Sequence, residues 1–353
     1  MTKVISGIQQ IGIGIPNVHE AWGWYNRHFG FDLPMFDEAA EAGLMLPYTD
    51  GKPQQRHAIL ALNLKGGGGF EIWQYTSRTP QPADFELQLG DLGIFITKIK
   101  TSNVSAAYKQ LAKNKTNLLS EIVKMPNGDM HFFVEDPYGN IFQIVSANSW
   151  FRKSINSVFG GAYGAIIGVT DMAKSMAFYN EILGYDTVVF DEEGVFEDLS
   201  QLPGGNKKIH RVLLKHSKER QGAFSKLLGP STIELVKVLD RAPQKIFENR
   251  LWGDLGFIHL CFDIRNMQAL KKECENFGHP FTVDSADSFD MGEAAGHFAY
   301  IEDPDGALIE FVETHKIPIA KKWGLYKNLK KRNPTKALPD WMLGALRFNR
   351  VKL

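Results

Sequence analysis

The chain has 353 residues, with 40 basic and 40 acidic side chains and 44% hydrophobic content. Such a balance argues against a basic nucleic-acid binder, supplies enough apolar surface for a real core, and makes two domains the length expectation. Cys261 and Cys274 are too few for a disulfide framework, MTKVISGIQQ lacks the pattern of a secretory signal, and no apolar run approaches bilayer length, so a cytoplasmic protein without membrane or nucleic-acid partners is expected.

In chain order, IQQIGIGIP (8 to 16) reads as a strand, His19 to Phe29 as a helix, and Asp32 to Asp37 as a strand. His57 to Leu64 and Phe70 to Tyr75 then form a hairpin, with GGGG (66 to 69) as its flexible turn; no Lys-Ser or helix follows to make a phosphate loop. A second unit starts near Leu92, runs through a helix at Val104 to Lys113 and strands near Leu118 and His131, and closes with Ile141 to Ser146. After ANSWFRKSINSVFGG (147 to 161), the tracts 162 to 238 and 254 to 313 repeat the plan.

The repetition is explicit. Gln10 to Asp32 aligns without gaps onto Gly164 to Asp186, placing Tyr25-Asn26 on Tyr179-Asn180. Phe70 to Lys100 aligns onto Ile233 to Asp263, matching Arg78, Pro80 and Gln81 to Arg241, Pro243 and Gln244, and GDLG at 90 to 93 to GDLG at 253 to 256. EDPYGN (135 to 140) falls on EDPDGA (302 to 307), a strand-joining turn. Four strand, helix, three-strand units follow. The expected class is α+β, with tandem βαβββ modules forming two cupped-sheet domains at 1–148 and 160–315 and a basic extension at 316–353.

Gln10, Glu71, His259 and Glu310 are polar side chains in otherwise apolar strands, at corresponding places in the repeats. Burying a Glu in FEIW or LIEFV is costly without compensation, and a divalent cation supplies it. Strand alternation puts Ile11, Ile13 and Ile15 on the helix side and Gln10, Gly12 and Gly14 on the other, where small residues leave an open cup. Glu71 shares a face with Trp73 and Tyr75, and His259 shares one with Cys261, so those three are candidate substrate contacts. One imidazole with amide and carboxylate oxygens suits Zn, Ni, Co, Mn or Fe. A strand Glu facing solvent and a satisfied core histidine are the plainer readings. His57, His131, His210 and His297 lack ligand spacing.

The AFYNEILGY run (177 to 185), HLCFDI (259 to 264) and EDPDGALIEF (302 to 311) resemble the vicinal oxygen chelate superfamily, which includes glyoxalase I, extradiol dioxygenases and bleomycin resistance proteins. The resemblance spans roughly residues 5 to 315 and implies one ligand on the first and one on the last strand of each module. These map to Gln10 and Glu71, Ile96 and Gln143, Gly164 and Glu234, and His259 and Glu310. Pairing the first module with the fourth, as the resemblance implies, yields one complete site and one ruined site; pairing within a half groups Glu234, His259 and Glu310 instead.

By the same resemblance, the chain is expected to be a glyoxalase I-type lyase or isomerase acting through an enediolate on a small α-hydroxycarbonyl or acyl compound. Glu310 is the expected base, with Glu71 its counterpart. The arginines with which glyoxalase I holds glutathione are replaced by Gly14 and Leu255, which argues against a glutathione hemithioacetal. An extradiol-type dioxygenase and a ligand-sequestering binding protein are the alternatives, as monomer or homodimer. From Thr314 onward, eleven Lys or Arg face the single acid Asp340, with Trp323, Leu325, Tyr326, Leu329 and Trp341 interleaved. This tail reads as a docked, solvated face or as a rim attracting an anionic substrate.

Overall fold

The computed structural model describes residues 2–286, 289–291, 294–320 and 325–351; Trp323 lies outside them. The first module comprises β1 (Val4–Gly14), α1 (Val18–Phe29), β2 (Leu33–Glu41), β3 (Gln55–Leu62) and β4 (Gly69–Tyr75). The second comprises β5 (Gly93–Thr101), α2 (Val104–Lys113), β6 (Asn117–Leu118), β7 (Val123–Lys124), β8 (Met130–Glu135) and β9 (Ile141–Ser146). The third comprises β10 (Phe159–Gly168), α3 (Met172–Glu181), β11 (Thr187–Gly194), β12 (Ile209–Lys215), the short α4 (Ser225–Leu228) and β13 (Thr232–Val238). The fourth comprises β14 (Gly256–Arg265), α5 (Met267–Asn276), β15 (Val283–Asp284), β16 (Phe289–Met291), β17 (Ala294–Glu302) and β18 (Leu308–Thr314). A small β19 (Lys316–Ala320) and β20 (Leu325–Asn328) pair and the helix α6 (Asp340–Ala345) complete the chain.

One capping device opens all four module helices. Asn17, Asn103, Asp171 and Asn266 each accept a bond from the backbone N–H three residues on, meeting a donor the helix itself cannot satisfy. The apolar stripe of each helix then covers the isoleucine-rich side of a sheet. Tyr25 and Phe29 of α1 meet Phe142 of β9 as well as side chains of their own module, so one core joins both sheets.

Strand pairing crosses the sequence halves. One nine-stranded sheet has the order β15-β17-β18-β14-β1-β4-β3-β2, and the other β11-β12-β13-β10-β5-β9-β8-β6, with β16 and β7 attached to β17 and β8. The first module therefore pairs with the fourth and the second with the third. β1 starts at Val4, earlier than the apolar alternation suggests, because its opening residues pair with the end of β14.

Two sets of repeated motifs brace this arrangement. Arg78 reaches Asp254 at 2.5 Å and Arg241 reaches Asp91 at 2.6 Å, so the arginine of each half clasps the GDLG loop of the other. The same carboxylates accept the backbone N–H of Gln81 at 2.8 Å and of Gln244 at 3.0 Å. Across the sheets, the Tyr25 hydroxyl donates to Asp136 at 2.6 Å and the Tyr179 hydroxyl to Asp303 at 3.0 Å. Burial raises the pKa of both aspartates, Asp303 to about 6.

The glycine run is not a flexible turn. Gly66 to Gly69 are buried, and Gly68 exchanges backbone bonds with Ala162 at 2.9 and 2.8 Å while Gly161 donates to Gly66 at 2.9 Å. A Cβ on Gly67, whose φ is +118°, would meet the Gly161 backbone at 2.9 Å, so the run permits main chains of the two sheets to touch. The C-terminal tail is docked: Leu329, Leu338 and Leu343 are buried against Leu33, Leu62 and Leu227.

Asp91→Ala and Asp254→Ala should be similarly destabilising, by about 3 kcal/mol each, because each leaves buried N–H groups and an arginine without their acceptor. Urea denaturation of the two variants beside wild type measures this; a loss in only one would show the clasps to be unequal.

Candidate metal centre

The cup of the first sheet is built on the β1–β14 seam, which carries three register shifts. Ser6 and Gln9 are the extra residues on β1 and Ile258 the extra residue on β14, irregularities of the kind that re-aim side chains. Gln10 pairs with Cys261 and Gly12 with His259, while the parallel neighbours bring Glu71 opposite Gly12 and Glu310 opposite Cys261. A Cβ on Gly12 would lie 2.6 Å from His259 Nδ1, so the imidazole occupies the space that this glycine leaves.

All four sequence candidates meet in this cup. His259 Nε2 lies 3.1 Å from Glu310 Oε2 and 3.3 Å from Glu71 Oε2, within ion-pair reach of both but aligned as a hydrogen bond to neither. Gln10 Nε2 donates to the same oxygens at 3.3 Å (Glu71) and 3.4 Å (Glu310). Burial alone would lower the His259 pKa, but the charges of Glu310 and Glu71 outweigh it and hold the imidazole at about 9. Burial works to raise Glu71, and His259, Arg56 and Gln10 together bring it below its ordinary value.

The surrounding wall is aromatic. Trp73 and Tyr75 are buried with Met45, Ala58, Trp252 and Tyr300, and the Tyr75 hydroxyl donates to the Trp252 carbonyl. Trp252 lies parallel to the His259 ring at 6.3 Å, and Tyr300 meets that ring edge-on at 5.6 Å. Cys261 is 3.7 Å from the Gln9 amide oxygen, and burial beside Glu310 keeps its thiol, like the Tyr300 phenol, firmly protonated. A neighbouring cavity of about 290 Å³ shares Trp252, Ile258 and Leu308 with this wall. Strict alternation missed Gln9, because a bulge turns it toward Cys261. Trp252 and Tyr300 carried no signal at all in isolation.

The second cup is closed. Glu234 does not join His259 and Glu310, as a within-half pairing would require. Instead it bonds to Lys98 and Arg211, Lys98 reaches Gln143 at 2.6 Å, and Arg211 reaches Asp198 at 2.8 Å. His131 sits 3.2 Å from Asp198, with its pKa lowered by burial despite that carboxylate. Two cations thus meet two carboxylates beside a neutral imidazole. Lys98 aligns with Cys261 in the repeat, and this cation on the inner face of FITKIK was the available sign of the closure.

Residues 7–144 and 158–311 both match the model of the Glyoxalase/Bleomycin resistance protein/Dioxygenase superfamily, and the chain belongs to that family. No curated protein matches the sequence. Among solved structures, glyoxalase I from Zea mays is similar with TM-score 0.53 and 12% identity, over 88% of this chain and 92% of that one. A putative dioxygenase from Bacillus subtilis is similar with TM-score 0.55 and 13% identity, over 88% and 86%. Those likenesses establish the fold. Among the described residues, no helix is long and apolar enough to cross a membrane.

The closed cup makes a stability prediction with a definite sign. Burial would raise Glu234, yet Arg211 and Lys98 hold its pKa down at about 2, so its contribution is present in full above the ordinary carboxylate range and is lost as pH falls through 2. Glu234→Gln should cost about 3 kcal/mol at neutral pH, since it strands buried positive charge. The gap between wild type and variant, followed by denaturant titration, should narrow as the pH drops below about 4.5.

Proposed function

We propose that the open cup is the active site of a divalent-metal-dependent enzyme of glyoxalase type, a lyase or isomerase acting on a small compound with two adjacent oxygens. The observation that carries this reading is a charge mismatch. Glu71 and Glu310 face a single imidazole, and Arg56, the other cation that acts on Glu71, is already paired with Glu38, so net negative charge is left even when His259 is protonated, whereas the closed cup balances its own charges. The donor set also fits a cation: Gln10 Oε1 is buried without a hydrogen-bond partner, and His259 Nε2, the nitrogen that faces both carboxylates, likewise has none.

Gln10, Glu71, His259 and Glu310 would hold the ion. When bound, it supplies Lewis-acid stabilisation of negative charge on the two adjacent substrate oxygens. Glu310 is the residue assigned to take the proton from the carbon next to the carbonyl, and Glu71 its counterpart across the cup. Trp73, Trp252 and Tyr300 form an apolar, largely water-excluding wall, which strengthens electrostatic interactions inside it. Cys261, protonated and next to Glu310, would contact the substrate without competing as a base. One imidazole and two carboxylates favour proton-transfer chemistry over the two-His, one-carboxylate pattern of non-haem iron oxygenases.

Protein dialysed against Zn, Ni, Co or Mn is expected to hold one ion in the cup, lost when His259→Ala and Glu310→Ala are combined. Equal metal content in that variant and in wild type would refute the site. For the reaction, a panel of small α-hydroxycarbonyl compounds in D2O should show enzyme-dependent loss of the α-proton NMR signal. Glu310→Gln should slow this exchange by about 10²- to 10⁴-fold. Oxygen uptake with Fe(II), without proton exchange, would favour the dioxygenase instead, and tight ligand binding with neither would favour sequestration.

A further inference from the structure

We propose a second site for a divalent transition metal on the outer surface of the first module, formed by His19, Asp37 and His57. Among the described residues, two groups of His, Cys, Asp or Glu are close enough to hold a metal ion, with ligand atoms within 4.8 Å of one another: the cup and this one. Asp37 Oδ1 lies 2.6 Å from His57 Nε2, and Asp37 Oδ2 lies 3.9 Å from His19 Nδ1. The two imidazoles meet edge to face, with ring centroids 5.1 Å apart. All three side chains are partly accessible, His19 most of all at 58%, so an ion can enter and keep water in its remaining positions.

The backbone under these ligands is fixed. His19 lies in the first turn of α1, Asp37 on β2 and His57 on β3, where His57 pairs with Ala39 and Asp37 with Ile59. On the other side of β3, His57 pairs with Gln74, whose side-chain oxygen accepts the Val18 N–H at 2.9 Å. Gln74 thereby holds the start of the helix against the strand that carries His57. Binding through His57 Nε2 leaves Nδ1 to carry the ring proton, and the ion replaces the hydrogen bond that now joins His57 to Asp37. Two imidazoles and one carboxylate select Zn, Ni, Co or Cu over Mg or Ca.

The third module contains an internal control. Its equivalent hairpin repeats the pair, with His210 Nε2 2.6 Å from Asp191, but Ala173 stands where the first module has His19, and Glu193 approaches His210 Nδ1 at 3.9 Å. The His–Asp pair is therefore common to both hairpins, and the second imidazole is what the first module adds. Such an ion would tie α1 to the β2–β3 hairpin at the sheet edge.

The test uses the full chain carrying His259→Ala and Glu310→Ala, so that the cup does not contribute. Titrated with Zn(II) by calorimetry, this protein should bind one equivalent and melt at a higher temperature. Adding His57→Ala or Asp37→Asn should weaken binding at least tenfold, whereas adding His210→Ala should leave it unchanged. No Zn(II) bound to the cup-deficient protein, or binding indifferent to His57→Ala and Asp37→Asn, would overturn the proposal. Because the cup is already disabled, either result is independent of whether the cup itself takes metal.

Discussion

The antiparallel seam between β1 and β14 is the constraint on which the site depends. It joins the start of the first half to the middle of the second, and Glu71 on β4 and Glu310 on β18 reach the cup only as the parallel neighbours of those two strands. The Arg78–Asp254 and Arg241–Asp91 clasps explain how the pairing is held. Each arginine finds its acceptor in the opposite half, together with a backbone N–H that also needs one. A pairing of modules within one half would separate these groups and strand two buried carboxylates. The Tyr25–Asp136 and Tyr179–Asp303 bonds brace the remaining direction, joining one sheet to the other. The four modules are thus cross-tied in both senses by residues the duplication repeats.

Within that frame the two cups solve one electrostatic problem in opposite ways. The carboxylate on the inner face of β13 is fully buried and the one on β4 largely so, and withdrawing either from water without a cation is costly. Around Glu234 the chain supplies its own cations, Lys98 and Arg211, and Gln143 and Asp198 complete the set. Around Glu71 the corresponding cations are missing among the described residues, because Cys261 stands at the position of Lys98 and Ala58 lies on β3 where Arg211 lies on β12. The closed cup is built for stability. The first cup sets two carboxylates against one imidazole behind an aromatic wall, the arrangement on which the proposed cation site rests.

Much of this was legible in the residues, for identifiable reasons. The duplication located corresponding positions, and period-two alternation separated Ile11, Ile13 and Ile15 from Gln10, Gly12 and Gly14, so the side of β1 that carries Gln10 into the cup could be read directly. What alternation cannot see is a bulge: Gln9 turns toward Cys261 only because the β1–β14 register slips there. Gly66 to Gly69 looked like a loose turn because glycine permits flexibility and close approach equally, and only the contact with Gly161 shows which one operates. The choice of partner module was also hidden in local pattern. It rests on ion pairs between residues more than a hundred positions apart, which no window of sequence contains.

The histidines show the same limit from another side. His57, His131, His210 and His297 have no ligand spacing along the chain, yet each has a carboxylate within ion-pair reach: Asp37, Asp198, Asp191 and Asp284. Three of these pairs lie at 2.6 Å, at the short end for a ring–carboxylate bond, so a His–Asp pair recurs within this chain and by itself identifies no function. What distinguishes the two candidate ligand groups is a third donor converging from a separate element. His259 gains one from β4 as well as β18, and the His57 pair gains one from α1, whereas His131 faces Arg211, a cation that already satisfies its aspartate. Convergence of elements, rather than spacing along any one of them, separates the groups that can hold a cation from those that have already made one unnecessary.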